Sequence, residues 1–261
     1  MKGIKAHTHA EREELIRKLV PLINQKFGDN LVALAVCCSF ARGEDFNYSD
    51  LELIAFVKSM PEGKKQGGLA KIFDGMLIEI VWMTGDTYLN TVLDVNEYWH
   101  YSGSNILQPI INEEYIANLN AFKPRYLKSK CLDHAVGLFS EVQEAASKVL
   151  NAIEQENREN MPLLFSDFLN QVLRNLSFIN QEPFTTASKM ISQARGFCIK
   201  PESINNLLDM AVKGSYSDLD RLQKVTIAVF EELESIFEEL SLQIYDDDID
   251  LEKLVNKLRK A

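Results

Sequence analysis

The sequence predicts an α+β protein: a domain built on one sheet, followed by a helical domain. Three observations support this prediction. Short apolar runs bounded by Gly, Asp and Asn occupy the first half of the 261 residues, and apolar residues at helical spacing fill the second half. The basic segment KPRYLKSK (123–130) lies between the two halves. Strands followed by helices are typical of this class, so we expect domains at 1–127 and 128–261, with a boundary near 125–132.

The first domain is predicted to begin with a helix and to continue with strands. Thr8 and Glu11 have capping-box spacing, apolar residues then recur at helical intervals, and Gly28-Asp29-Asn30 ends the pattern. Runs rich in β-branched residues then predict strands of one sheet. These runs are LVALAVCC (31–38), LELIAFV (51–57) and MLIEIVWM (76–83), with ILQPII (106–111) as a further candidate.

The second domain is predicted to be helical. Five segments carry apolar residues at helical spacing. They are HAVGLFSEVQEAASKVLNAI (134–153), PLLFSDFLNQVLRNLSFI (162–179), TTASKMISQAR (185–195), ESINNLLDMAV (202–212) and LDRLQKVTIAVFEELESIFEELSLQI (219–244). The acidic run at 246–250 is predicted to precede a last helix, whose N-terminus favours negative charge.

Composition restricts the class of partner. The formal charge of −10 argues against nucleic-acid binding, which depends largely on basic side chains, and it suits a cationic small molecule. No apolar stretch approaches the roughly 20 residues that cross a bilayer, and the N-terminus lacks a signal-peptide core. The four cysteines show no zinc-type spacing. We therefore expect a soluble cytoplasmic protein with reduced thiols and no membrane partner.

Two carboxylates stand at the start of the second predicted strand. Asp50 and Glu52 are two residues apart, so a strand would point both side chains to one face, with their Cα atoms about 6–7 Å apart. Mg²⁺ commonly binds one or two protein carboxylates, with water and substrate phosphates as its other ligands. The pair is therefore a candidate magnesium site, although a solvent-facing edge strand would show the same pattern.

Glu79 is a candidate third ligand. It lies in MLIEIVWM between apolar neighbours, where an isolated buried carboxylate would cost several kcal/mol unless it is paired or metal-bound. Its strand is expected to lie near that of Asp50, so the three carboxylates could converge. A glutamate that faces water at a strand end explains the pattern equally well at this point.

A small polar turn follows the first predicted strand. Ser39 comes directly after the strand, and Arg42 lies three residues later. Backbone N–H groups, a hydroxyl and a guanidinium together suit a phosphate. Strand, polar turn with Arg, and then S-D-x-E on the next strand therefore indicate a site for a metal-bound polyphosphate.

The order of these residues resembles the signature of the nucleotidyltransferase superfamily, G-S-x-x-R/K-G followed by S-D-x-D/E. The matching residues are Ser39, Arg42, Gly43, Ser49, Asp50 and Glu52. Within the superfamily, the sequence is most similar to the kanamycin (aminoglycoside) nucleotidyltransferases. The opening EREELIRKLVPLINQKFGDNLVALAV, the block YSDLEL and the segment FTTASK (184–189) carry that similarity, which runs with gaps over most of the chain.

The resemblance implies a mixed nucleotidyltransferase sheet with flanking helices, a C-terminal helical bundle, and a homodimer whose active site lies between chains. It implies Mg²⁺ on Asp50, Glu52 and Glu79, with ATP or another nucleoside triphosphate as co-substrate. The triphosphate would be held by four further residues, namely Ser39, Arg42, Ser49 and Lys148. The catalytic base would be Glu144, four residues before Lys148.

The helical pattern leaves a second candidate for the base. If Ala135, Leu138, Val142, Ala145 and Val149 form the buried stripe of this helix, Glu144 falls on the opposite face and Glu141 falls at its edge. The spacing of Glu144 and Lys148 is also that of an ordinary solvent-exposed pair. A polar face that lines the partner's cleft would reconcile Glu144 with catalysis.

Three functional hypotheses follow. The first is Mg²⁺-dependent transfer of a nucleoside monophosphate, AMP from ATP, to a hydroxyl of a small polycationic molecule of the aminoglycoside type. The second rests on Cys38, which replaces the family's glycine before the serine. It is a catalytically degenerate nucleotide-binding or antitoxin-like regulatory protein on the same fold. The third is nucleotide transfer to a protein or nucleic acid, and the net charge counts against nucleic acid.

Overall fold

The computed structural model describes residues 3–101 and 106–245, which form two compact units. The first unit contains the described residues up to Leu127, together with Pro183–Thr185. The second contains Lys128–Glu182 and the described residues from Thr186 onward. The acidic run at 246–250, predicted to precede a last helix, lies outside the described residues.

The first unit is a five-stranded sheet with helices. Its elements are α1 (His9–Phe27), β1 (Leu31–Val36), α2 (Cys38–Ala41), β2 (Leu51–Val57), β3 (Gln66–Phe73), β4 (Met76–Met83), α3 (Gly85–Thr87), β5 (Gln108–Ile111) and α4 (Glu113–Asn120). The strand order is β3-β4-β2-β1-β5. Strands β2 and β4 are parallel, and the other neighbours are antiparallel. The predicted mixed sheet with flanking helices is therefore confirmed.

Helix α1 begins at the predicted capping box and covers the sheet. The Thr8 hydroxyl accepts a hydrogen bond from the Glu11 backbone N–H at 3.2 Å, and the Glu11 carboxylate accepts one from the Thr8 N–H at 2.6 Å. The helix continues through Pro21 to Phe27. Its buried residues Ile16 and Ile23 pack in one apolar cluster with residues of β1, β2 and β4, so α1 is fixed against the sheet that carries the candidate site.

Strand β3 was not predicted from the sequence. Almost all of its residues are exposed, it contains Gly67 and Gly68, and its single β-branched residue is Ile72, so it shows neither apolar alternation nor the enrichment in β-branched residues that is typical of strands. The turn that ends β3 nevertheless has a recognisable sequence. Asp74 and Gly75 have φ of 47° and 83° and link β3 to β4 in a two-residue turn, for which Asp-Gly is a favoured sequence.

The second unit consists of helices packed on an apolar core, as predicted. They are α5 (Leu127–Glu154), α6 (Met161–Asn180), α7 (Met190–Gly196), α8 (Ile204–Lys213) and α9 (Leu219–Glu239). The predicted stripe of α5 (Ala135, Leu138, Val142, Ala145 and Val149) is buried. The buried Asn175 side chain of α6 donates to the Ala135 carbonyl at 2.9 Å, which ties α6 to α5. None of the described helices is long and apolar enough to cross a membrane.

A buried arginine connects α1 to the loop before β2. Arg12 is fully buried, and its guanidinium donates to the Asp45 carboxylate at 3.1 Å. It also donates to the carbonyls of His7, Phe46, Asn47 and Ser49 at 2.7–3.3 Å. These contacts use all three guanidinium nitrogens, and the ion pair compensates the buried charge. These hydrogen bonds hold the loop in place where it leads into Asp50.

Replacing Arg12 with Ala should destabilise the protein strongly. The substitution leaves the Asp45 carboxylate without its cation and the loop carbonyls without donors, and we expect a loss of about 3–5 kcal/mol. Urea denaturation followed by circular dichroism measures the change. Lys18→Ala is the matched control, because it removes another cation of α1 whose ion pair is exposed. Equal unfolding midpoints for the two variants would contradict the structural role of Arg12.

Candidate active site

Three carboxylates meet on adjacent strands. Asp50 immediately precedes β2, Glu52 lies in β2, and Glu79 lies in β4. The parallel register places Glu52 directly opposite Glu79, and one ligand oxygen from each of the three residues lies within 4.8 Å of the others. All three residues are half-buried. Glu79 stands within its strand beside Glu52, so the structure places it in the cluster and not at a solvent-facing strand end.

The cluster concentrates negative charge. Burial raises the pKa of the Glu52 carboxyl, and repulsion from Asp50 and Glu79 raises it further. The Cys38 thiol and the Arg42 guanidinium act in the opposite direction. A divalent cation with hard-oxygen preference would relieve this repulsion, and three carboxylate oxygens are the donors that Mg²⁺ takes. The residues present therefore fit a magnesium ion.

The predicted phosphate-binding turn lies between β1 and β2. The Cys37 N–H donates to the Glu52 carbonyl at 3.1 Å, which fixes the start of the turn beside the carboxylates. Ser39 is in the short helix α2, and Arg42 caps its C-terminus. The Arg42 Nε donates to the Glu44 carboxylate at 3.0 Å, and the Arg42 side chain is only 12% exposed. The guanidinium is thus held at this end of the sheet.

Cys38 adopts the backbone conformation that glycine favours. Its φ is 62°, in the left-handed region. Its thiol donates to the Cys37 sulfur at 3.4 Å, and that hydrogen bond, burial and the Glu52 carboxylate hold the pKa of the Cys38 thiol well above its usual range. The turn therefore keeps the glycine-type backbone although the residue carries a side chain.

Ser49 stabilises the loop before Asp50. Its hydroxyl accepts a hydrogen bond from the Phe46 N–H at 2.9 Å, and its carbonyl accepts from Arg12. The Ser49 N–H also donates to the Phe46 carbonyl at 2.9 Å. Ser49, predicted to contact the nucleotide, therefore has a local structural role in the turn from Phe46 to Ser49.

Glu144 and Lys148 form an exposed ion pair on α5, in the second unit. The Lys148 Nζ lies 2.8 Å from the Glu144 Oε1, and the side chains of Glu144 and Lys148 are 67% and 50% exposed. The hydrogen bond from Lys148 lowers the pKa of the Glu144 carboxyl. The rival candidate, Glu141, forms an ion pair with Arg174 of α6 at 3.1 Å. Both glutamates are thus paired within the second unit, and their contribution to catalysis remains a prediction.

Sequence reasoning missed the polar cluster that supports the site. Besides Arg12, the Asp45 carboxylate binds His9, whose Nδ1 lies 2.7 Å from Asp45 Oδ1 and whose ring stacks on Phe40. A signal was available: Arg12 lies in phase with the buried residues Ile16 and Ile23 of α1. A cation on the apolar face of a helix requires a buried partner.

The comparisons with known proteins agree with this architecture. Residues 133–243 match the sequence profile of the KNTase C-terminal domain, so the match lies in the helical region. A crystal structure of a nucleotidyltransferase-like protein from Exiguobacterium sibiricum has a TM-score of 0.50 and 11% identity to this chain, and the match covers 84% of this chain and 75% of that one. The fold is therefore nucleotidyltransferase-like.

A curated relative matches over a shorter segment. The "Putative protein adenylyltransferase" of Methanocaldococcus jannaschii is 33% identical over 61 residues. This match spans 23% of this chain and 40% of the relative. The chain therefore matches less than half the length of that protein.

The left-handed conformation of Cys38 should reverse the usual order of glycine and alanine. We expect Cys38→Gly to be more stable than Cys38→Ala by about 1 kcal/mol, because a Cβ is strained at this φ. At the adjacent Ser39, whose φ is not positive, alanine should be more stable than glycine by about 0.5–1 kcal/mol. Chemical denaturation of the four variants measures both differences. The same order at both positions would contradict the assigned backbone conformation.

Proposed function

We propose that this protein is a Mg²⁺-dependent nucleotidyltransferase that moves AMP from ATP to a hydroxyl group of an acceptor. The observation that carries the proposal is the convergence of Asp50, Glu52 and Glu79 on β2 and β4, beside a turn that holds Ser39 and Arg42. Hard anionic ligands next to a hydroxyl and a guanidinium suit a metal-bound triphosphate. The nucleotidyltransferase-like fold and the KNTase-type helical domain support the same reaction.

Each candidate site residue of the first unit has its own role in this proposal. Asp50, Glu52 and Glu79 would hold the magnesium ion, which supplies charge neutralisation at the triphosphate when it is bound. The Ser39 hydroxyl would donate a hydrogen bond to a phosphate oxygen. Arg42 would stabilise the charge that develops on the leaving pyrophosphate. The ion pair with Glu44 keeps the Arg42 guanidinium oriented before the nucleotide arrives.

The second unit would supply the base and a further cation. Glu144 would take the proton from the attacking hydroxyl, a step usually worth about 10²–10⁴ in rate, and Lys148 would contact the phosphates. Both side chains are exposed on α5 and paired with each other, so a negatively charged triphosphate would compete with Glu144 for Lys148. We propose that a homodimer forms and that these residues act in the active site of the partner chain.

The acceptor is proposed on two observations that point to different classes. The KNTase-type helical domain and the net charge of −10 favour a small polycationic acceptor of the aminoglycoside type. The name of the Methanocaldococcus jannaschii relative favours a protein as acceptor. The small molecule is our first choice, because the matched helical domain covers more of this chain than the segment shared with that relative.

Asp50→Asn should abolish the transfer reaction. The variant removes one ligand charge from the carboxylate cluster, and we expect the rate of AMP transfer to fall about 100-fold or more. The assay incubates the protein with Mg²⁺ and α-labelled ATP in the presence of a panel of aminoglycosides and lincosamides. It measures pyrophosphate release, the mass of each drug and the label on protein.

The control for this assay is Asp29→Asn, an exposed aspartate of the same unit that lies outside the carboxylate cluster. It should transfer AMP at the wild-type rate. If the label from ATP appears on protein and on none of the drugs, the acceptor is a protein and not a small polycationic molecule. Mg²⁺-dependent ATP binding without transfer to any acceptor would overturn the enzymatic proposal and favour the degenerate, regulatory protein.

Mixing two inactive variants tests whether the active site lies between chains. Asp50→Asn lacks a metal ligand, and Glu144→Gln lacks the proposed base. If the site combines residues from two chains, an equimolar mixture should regain about a quarter of wild-type activity, because half the dimers are mixed and each has one intact site. A mixture of Asp50→Asn with the Asp50→Asn, Glu144→Gln double variant is the control and should stay inactive. If Glu144→Gln alone is fully active and Glu141→Gln is inactive, the base is Glu141 and not Glu144.

A further inference from the structure

Two thiols lie directly beside the carboxylate cluster. The sulfurs of Cys37 and Cys38 are 3.4 Å apart, and each lies with a Glu52 carboxylate oxygen in a group whose ligand atoms are all within 4.8 Å of one another. Within residues 3–101 and 106–245, this is one of two groups of three or more His, Cys, Asp or Glu side chains that could bind a metal ion. Glu52 belongs to both groups. The carboxylate site therefore has a sulfur-containing neighbour.

The backbone explains why two adjacent cysteines point to one place. In an extended chain, successive side chains point to opposite faces. Cys37 is extended, with φ of −128° and ψ of −173°, but Cys38 has φ of 62°, which breaks the alternation. The hydrogen bond from the Cys37 N–H to the Glu52 carbonyl then holds Cys37, and with it Cys38, beside β2. The turn therefore allows the two sulfurs to lie side by side.

We propose that Cys37, Cys38 and Glu52 form a binding site for a thiophilic divalent cation of the Zn²⁺ class. A tetrahedral ion with bonds of about 2.3 Å to sulfur places two sulfur ligands about 3.8 Å apart, a few tenths of an ångström from the separation in this structure. Two sulfurs and one oxygen leave the fourth position to water. Thiolate ligands select zinc-like ions over Mg²⁺, which the all-oxygen cluster suits.

We expect the two sites to compete, because both use the Glu52 carboxylate. A cation bound by the thiols withdraws this carboxylate from Asp50 and Glu79 and occupies the turn beside Ser39. On binding, each thiol loses its proton to solvent and forms a metal–sulfur bond, so no oxidation is involved. The predicted competition with Mg²⁺ rests on the proposed function, whereas the thiol site itself does not.

Cobalt(II) is the probe for the test, because its absorption reports both thiolate ligands and tetrahedral geometry. We expect the reduced protein to bind one Co²⁺ with thiolate-to-metal charge-transfer absorption, and excess Zn²⁺ to remove that absorption. Cys38→Gly, which suits the local backbone, and Cys37→Ser should each weaken binding about 10-fold or more. Circular dichroism confirms that the variants are folded.

Cys198→Ser is the matched control, because Cys198 is an exposed free cysteine outside the cluster. It should bind Co²⁺ as the wild type does. Absence of charge-transfer absorption, or the same absorption in folded Cys38→Gly and Cys37→Ser, would overturn the proposal.

Excess Mg²⁺ should weaken Co²⁺ binding to the wild type. Thiolate–cobalt absorption that Mg²⁺ leaves unchanged would support the thiol site and contradict the magnesium site of the proposed function.

Discussion

The buried guanidinium of Arg12 is the interaction on which the geometry of the site depends. It joins α1 to the carbonyls of the loop that precedes β2, and Asp45, whose side chain is 3% exposed, neutralises its charge. An arginine can satisfy several carbonyls at once because its donors form a rigid fork. The residues before Asp50 are thereby held in place, so the position of the first carboxylate depends on a helix near the start of the unit's sequence.

The parts of the fold that bury side chains were predictable from the sequence. β1, β2 and β4 are rich in β-branched and apolar residues because they form the centre of the sheet, and the stripe of α5 appears as a helical repeat. β3 was missed because its residues face solvent and carry no apolar alternation. The spacing of Asp50 and Glu52 was sufficient to predict that they share a face. Their meeting with Glu79 depends on the parallel pairing of β2 with β4, although β3 lies between these strands in the sequence, and no local pattern specifies that pairing.

The candidate site was predictable residue by residue, but its surroundings were not. Ser39, Arg42 and the carboxylates follow from motif and spacing, whereas most partners of Arg12 are backbone carbonyls, which any residue supplies. Cys38 shows the same limit. The sequence identifies a cysteine in place of glycine, and only the backbone angle shows that the turn retains the left-handed conformation while placing the sulfur beside Cys37. The proposed contribution of Glu144 depends on the proposed homodimer, and the pattern of a single chain does not specify an assembly.

The direct pairing of Glu52 with Glu79 also determines where this sequence can change in length. Side chains alternate along a strand, so one residue inserted before Glu79 within β4 would shift the pairing and move that carboxylate to the opposite face of the sheet. The segment 58–65 between β2 and β3 carries no such restriction, since it is a largely exposed connection. Residues can therefore be added to that connection without moving Glu79 to the other face of the sheet, whereas β2 and β4 must keep their residue count.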